Sequence, residues 1–286
     1  MTHITSAAKF LSLVGTLMVG TVAAGTADAA DRYATIWEKS SGPAWLAQHR
    51  IPASNYQAEF DKHVKDGYRL KVVSGYGAAG LSEDDILFFA TIWEKSSGPA
   101  WLAEHGVIGA DYQAKFDQHV KDGYRLKMVN SYLISATDAY ATVWEKSSGP
   151  AWLAQHRVAA ANYQTEFDKH VKDGYALKVV SGTRIPVLHE IYATIWEKSS
   201  GPAWLAEHGL TGADYQTKFD QHVKDGYRLK VVNVHNVGGQ DVFATVWEKG
   251  SGPAWLAEHG VAGDDYQAKF DQRVKDGYRL IWVSGY

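Results

Sequence analysis

The chain has 286 residues, with 29 Lys and Arg against 32 Asp and Glu and a formal net charge of −3 at pH 7. Such balanced charge gives neither the basic face that nucleic acid needs nor a cationic face for an anionic membrane, so neither is expected as a partner. There is no cysteine, so stability must come from a packed core, for which eleven Trp, sixteen Tyr and nine Phe supply apolar area.

At the start, Lys9 precedes an apolar run from Phe10 to Ala24, and Ala27-Asp28-Ala29 offers a small-x-small cleavage pattern. Residues 1–29 read as a secretory signal peptide cleaved near Ala29/Ala30, which predicts a secreted or periplasmic product. No later stretch reaches eighteen apolar residues, so stable membrane insertion is not expected.

Residues 30–286 read as a single repeat domain. Tyr33-Ala34-Thr35-Ile36-Trp37-Glu38-Lys39 returns at Phe89, Tyr140, Tyr192 and Phe243, which sets five repeats at 33–76, 89–132, 140–182, 192–234 and 243–286. The repeat cores are nearly alike while the connectors beginning at Ser74, Asn130, Ser181 and Asn233 differ in length and composition. Packing between like neighbours is the least demanding reason for the cores to stay fixed.

Within a repeat, Ala34 to Lys39 is β-branched and aromatic and is stopped by Ser-Ser-Gly-Pro, which predicts a strand. Pro43 suits the first position of a short helix carrying Trp45-Leu46-Ala47, with Gly106, Gly209 and Gly260 as αL terminators in three copies. A longer helix follows, with Tyr56, Phe60, His63 and Val64 as its apolar stripe and Thr211 with Asp214 as a capping box in the fourth copy. Asp66-Gly67 ends it, and Tyr68 to Val73 alternates as a second strand.

The expected fold is therefore α+β: five strand–helix–helix–strand units. The first copy opens on one kind of strand and the last closes on the other, so residues 33–39 are expected to pair antiparallel with 278–284. That pairing would make a closed pseudo-five-fold ring, αβ-propeller-like, with no free sheet edge at the ends. Arg50 and Glu59 in the first copy become Glu104 and Lys115 in those like the second, a joint change that predicts contact between the two helices.

The motifs Trp-Glu-Lys, Gly-Pro-Ala-Trp, Tyr-Gln-x-x-Phe-Asp and Gly-Tyr-Arg-Leu-x-x-Val-Ser-Gly-Tyr resemble those of a bacterial tandem-repeat family. That family also forms the N-terminal domain of fungal polyglycine hydrolases, and the resemblance spans residues 33–286. It implies the non-catalytic half of such an enzyme, because the catalytic part is a separate C-terminal domain resembling serine β-lactamases, and this sequence ends with the fifth repeat. Its one noted Ser-x-x-Lys, Ser6 to Lys9, falls in the leader.

Two histidine series recur. His49, His105, His156, His208 and His259 are expected to cap the end of the short helix. His63, His119, His170 and His222 fall on the long-helix stripe, with Arg273 as the fifth member, and are read as buried and hydrogen-bonded rather than metal ligands. Five equivalent glutamates offer no environment to separate an acid from a base, so a structural ion pair to Arg69 or a neighbouring lysine is expected, and neither a catalytic residue nor a cofactor. The candidate ligand site is the strand Trp37-Glu38-Lys39 and its copies Trp93-Glu94-Lys95, Trp144-Glu145-Lys146, Trp196-Glu197-Lys198 and Trp247-Glu248-Lys249. If those tryptophans are exposed, each strand offers an aromatic platform for an extracellular glycan or peptide, and five copies give avidity. If they are core, the strands are scaffold. The functional expectation is a monomeric, multivalent binding or scaffold module, with a hydrolase of the resembled kind or a structural envelope component as alternatives.

Overall fold

The computed structural model describes residues 31–77, 87–186 and 189–286. The proposed signal peptide lies outside the described residues. Five near-copies of one unit account for the fold. The first repeat contributes β1 (Arg32–Glu38), β2 (Trp45–Pro52), α1 (Ala53–Lys65) and β3 (Tyr68–Gly77). The second contributes β4 (Leu87–Lys95), β5 (Trp101–Ile108), α2 (Gly109–Lys121) and β6 (Arg125–Ile134). The third contributes β7 (Thr137–Glu145), β8 (Trp152–Ala159), α3 (Ala160–Lys172) and β9 (Tyr175–Ile185). Next come β10 (His189–Lys198), β11 (Trp204–Thr211), α4 (Gly212–Lys224) and β12 (Tyr227–Val237). The last repeat has β13 (Gln240–Lys249), β14 (Trp255–Ala262), α5 (Gly263–Lys275) and β15 (Arg279–Gly285).

One expectation is overturned here: the short helix is a strand, so the unit is strand–strand–helix–strand. Only a few residues separate Pro43 from the kink that follows Gln48, too few to repay the nucleation of a helix. As β2, the same segment pairs antiparallel with β4, Trp45 opposite Glu94 and Gln48 opposite Thr91. The glycines taken as helix terminators do adopt left-handed φ, +66° at Gly106, +65° at Gly209 and +64° at Gly260. They sit at a β-bulge, where the register slips between Glu104 and Val107 and between Glu207 and Leu210. Arg50 and Arg157 take the same conformation, φ 50° and 53°, at the equivalent positions.

Each sheet has three strands and draws on two repeats. The orders are β2-β4-β3, β5-β7-β6, β8-β10-β9, β11-β13-β12 and β14-β1-β15. The Trp-Glu-Lys strand of one repeat is thus the central strand between the second and third strands of the repeat before it. For β1 that place is between β14 and β15, and Tyr33 to Glu38 pairs antiparallel with Gly285 to Arg279, as expected. Central strands are buried on both faces, Tyr33, Ala34, Thr35, Ile36 and Trp37 all at 2% exposure or less.

Aromatic contacts with the helix bury one face, and the other joins the neighbouring sheet, where Ala34 and Ile36 share a core cluster with Leu229 and Val232 of β12. Phe60 of α1 meets Trp93 of its own sheet at 5.3 Å and Trp101 of the next at 5.9 Å. Phe270 of α5 meets Trp37 at 5.4 Å and Trp45 at 5.8 Å in the same arrangement. On the helices, Tyr56 and His63 are buried as the stripe requires, but Val64 is 41% exposed and falls off its edge. Thr211 Oγ1 accepts the Asp214 N–H at 3.2 Å and donates to Asp214 Oδ2 at 2.8 Å, so the residue caps the helix, with the carboxylate bonded to the hydroxyl. The paired charge change also marks a contact, although between strand and helix: Lys115 bonds Glu104 at 2.6 Å, and Gln48, not Arg50, bonds Glu59 at 3.0 Å.

Candidate functional site

The tryptophans proposed as an exposed platform are core. Trp37, Trp93, Trp144, Trp196 and Trp247 are each 1% exposed, and the indole N–H of Trp37 donates to Thr35 Oγ1 at 2.9 Å. A two-sided central strand leaves no wet face for them, so the aromatic platform is withdrawn. The lysines Lys39, Lys95, Lys146, Lys198 and Lys249 are exposed; each ammonium lies over the tyrosine that begins or immediately precedes a third strand, Lys39 over Tyr278 at 5.7 Å.

Glu38 and its copies make ion pairs, as expected: Lys71 of the neighbouring strand lies 3.9 Å from Glu94, while the arginines reach one sheet further. Arg69 is in register with Glu94 yet bonds Glu145, one sheet further on, at 3.1 Å. Arg125 bonds Glu197 at 3.2 Å, Arg228 bonds Glu38 at 3.0 Å and Arg279 bonds Glu94 at 3.1 Å. In the third repeat Ala176 replaces the arginine, and Lys178 reaches Glu248 at 3.1 Å instead. The four arginines also stack on the tryptophan of the following Gly-Pro-Ala-Trp loop, at 5.5 Å in each case.

The first histidine series is on strands, not at a helix end, so the dipole reading fails with the helix. Each ring is wedged between aromatics; His49 meets Tyr33 at 5.7 Å and Tyr266 at 4.5 Å. Burial holds the pKa of all five below the ordinary imidazole value. In the second series His63, His170 and His222 are buried as expected and His119 is half-buried; His63 Nε2 bonds Gln48 Oε1 at 2.6 Å and His119 Nε2 bonds Glu104 Oε2 at 2.9 Å, while Arg273 takes Glu258 at 2.7 Å. Among the described residues, no group of three or more His, Asp or Glu side chains is placed to hold a metal.

The site that sequence reasoning missed lies where the third strands meet. One polar residue from each forms a continuous belt: the Gly75 N–H donates to Asn130 Oδ1 at 2.7 Å and the Ser131 N–H to Ser181 Oγ at 2.9 Å. Next, the Gly182 N–H donates to Asn233 Oδ1 at 2.7 Å, the Val234 N–H to Ser284 Oγ at 3.1 Å and the Gly285 N–H to Ser74 Oγ at 3.0 Å. These five side chains are 1–5% exposed. Beside the belt is a cavity of about 200 Å³ lined by the strand ends, including Tyr76, Tyr132, Thr183, Arg184, His235, Asn236 and Tyr286. His235 bonds Glu190 through Nε2 at 2.9 Å, while its buried Nδ1 has no hydrogen-bond partner among the described residues. The signal was present: Ser, Asn, Ser, Asn and Ser follow the third-strand apolar run in the five copies. It was passed over because those residues open the drifting connectors, which the structure resolves largely into longer strands.

A family model described as "Polyglycine hydrolase-like, structural repeat" matches residues 42–96, 98–147, 149–199, 201–250 and 252–286. The chain belongs to this family. No curated protein matches it. The polyglycine hydrolase-like repeat is framed differently from the one read at Tyr33: residues 42–96 take in β2, α1, β3 and β4, which is one whole sheet with its helix. The last match, 252–286, holds β14, α5 and β15, the two strands between which β1 lies.

Proposed function

We propose that this polyglycine hydrolase-like repeat protein works outside the cytoplasm as a closed, non-catalytic ring of five units that holds a glycan or peptide ligand at its axis. The leader-like residues 1–29 support the location. Ring closure is supported by the pairing of β1 with β14 and β15, by the contacts of α5 on β1 and β2, and by the belt bond from Gly285 back to Ser74.

One observation carries the choice of site: the residues repeated five times are spent on architecture, whereas the cavity wall differs from unit to unit. Trp37 and its copies are core and Glu38 and its copies tie sheets together. Along the cavity wall, by contrast, equivalent strand positions carry tyrosine in three units, Tyr76, Tyr132 and Tyr286, but Thr183 and His235 in the other two. Variation on a fixed scaffold is where a repeat protein places recognition.

A glycan and peptide array with residues 30–286, followed by titration of whatever binds, tests this. A stoichiometry of one, weakened by Arg184→Gln or Tyr132→Phe and unchanged by Glu145→Gln with Lys146→Gln, is expected. A stoichiometry near five, reduced by the double change at Glu145 and Lys146, would return the site to the Trp-Glu-Lys strands. Cleavage of a glycine-rich peptide by purified protein, abolished by one point substitution, would favour the hydrolase reading.

A further inference from the structure

We infer that a groove on the rim, distinct from the axial cavity, binds an extended acidic peptide, with a carboxylate received by Arg157. The groove has a volume of about 570 Å³ and runs along Ala154 to Ala159 of β8, between Gln113 of α2 and Asn162, Thr165 and Glu166 of α3. β8 is an edge strand. The Lys198 N–H bonds the Ala151 carbonyl at 2.7 Å. Hydrogen-bonded positions alternate along an antiparallel pair, so the backbone groups of Trp152 and Ala154 face the open edge. A peptide in extended form can continue the sheet there.

The charge preference comes from comparing two repeats. Arg50 and Arg157 occupy the same bulge, and each grips a buried aspartate, Asp31 through Nε at 2.8 Å and Asp138 through Nε at 2.7 Å. Arg50 has a further acceptor: its Nη1 donates to Asp264 Oδ1, in the first turn of α5, at 2.9 Å. In α2 the corresponding residue is Ala110, and Arg157 Nη1 has no carboxylate partner among the described residues. Asp111, next in that turn, does not replace it, just as Asp265 makes no bond to Arg50. The one acid lining the groove among the described residues, Glu166, is occupied by Gln155 at 3.0 Å and Lys169 at 3.8 Å. The first repeat therefore shows, within the same molecule, the acceptor that the third repeat lacks and a ligand can supply.

The test is an NMR titration of the full chain with acetyl-Val-Thr-Asp-Val-Thr-amide and its Asn counterpart. The Asp peptide should shift the amide signals of Ala154 and Gln155 with a stoichiometry of one and bind about fivefold more tightly than the Asn peptide, the scale of one exposed ion pair. Ala110→Asp, which supplies the acceptor within the chain at an exposed helix start where an acid is favourable, should abolish that preference. Asp264→Ala should free Arg50 and raise the stoichiometry to two. Circular dichroism checks that both variants fold. The inference is overturned if no signal beside β8 moves up to about 10 mM peptide or if the Asp and Asn peptides bind alike. It is equally overturned if Ala110→Asp leaves the preference intact or Asp264→Ala adds no second site.

Discussion

Three of the third strands carry a glycine against which a ring of the neighbouring third strand packs. A Cβ on Gly75 would lie 2.7 Å from Tyr132 Cδ1, and one on Gly182 would lie 2.5 Å from His235 Cε1. Where the next strand carries the smaller Thr183, the same position holds Ser131 rather than glycine. Gly75→Ala should thus destabilise by about 1–3 kcal/mol through displaced packing, whereas Gly77→Ala, with no atom of the described residues within 4 Å, should change stability by no more than about 0.5 kcal/mol; urea denaturation of the pair checks this. The aromatic-wedged histidines give a pH dependence of definite sign. Because burial lowers the folded pKa of His49, His105, His156, His208 and His259, the unfolded chain binds protons more readily. Their contribution is complete above the unfolded value, about 6.5, and is lost as pH falls through the folded values. The melting temperature should fall from pH 7 to pH 5, and His105→Gln should lessen the slope; an unchanged slope would assign the loss to other groups.

Among elements, the interface between adjacent sheets is the recurrent unit of energy, and the third repeat lacks one of its parts. Gly42, Gly98, Gly149 and Gly252 each lie against an arginine guanidinium at 3.1–3.3 Å from their ideal Cβ positions, while Gly201 does not, since Ala176 stands where the arginine would be. Ala176→Arg is expected to place a guanidinium over Trp204 and beside Glu248. The gain should be small, up to about 1 kcal/mol, because such pairs are partly exposed and Lys178 already serves the glutamate. A higher melting temperature that is less marked at high salt would match; a lower one would mean that the neighbouring strand cannot accept the longer side chain.

For the whole molecule, the placement of β1 makes the two ends of the chain interdependent. Arg32 and Tyr286 exchange both backbone hydrogen bonds at 2.9 Å, and Tyr33 to Glu38 forms the middle of a sheet whose other strands begin more than two hundred residues later. Deleting Tyr278–Tyr286 removes a partner from β1 and a link from the polar belt. The truncated protein should melt at a distinctly lower temperature and associate through the exposed strand edge. Melting like the full chain, with a monomeric mass by light scattering, would show that the ends fold independently of one another.

Repetition made the unit count, the central Trp strand, the long helix and the pairing of the terminal strands legible, because five copies filter out local noise and a buried strand or amphipathic helix declares itself by periodicity. Local rules erred at Trp45–Pro52: left-handed φ at Gly106 serves a helix end or a bulge equally, and only the strand beside it, contributed by the next repeat, decides between them. They left open the face of Trp37, since a strand covered on both sides shows no alternation. The belt of Ser74, Asn130, Ser181, Asn233 and Ser284 escaped altogether. Its residues are about fifty apart in sequence and become neighbours only when the third strands converge. What the sequence determined by itself was each unit's internal pattern; the tertiary structure decided which residues the units spend on one another, because burial between units depends on neighbours that no window along the chain contains.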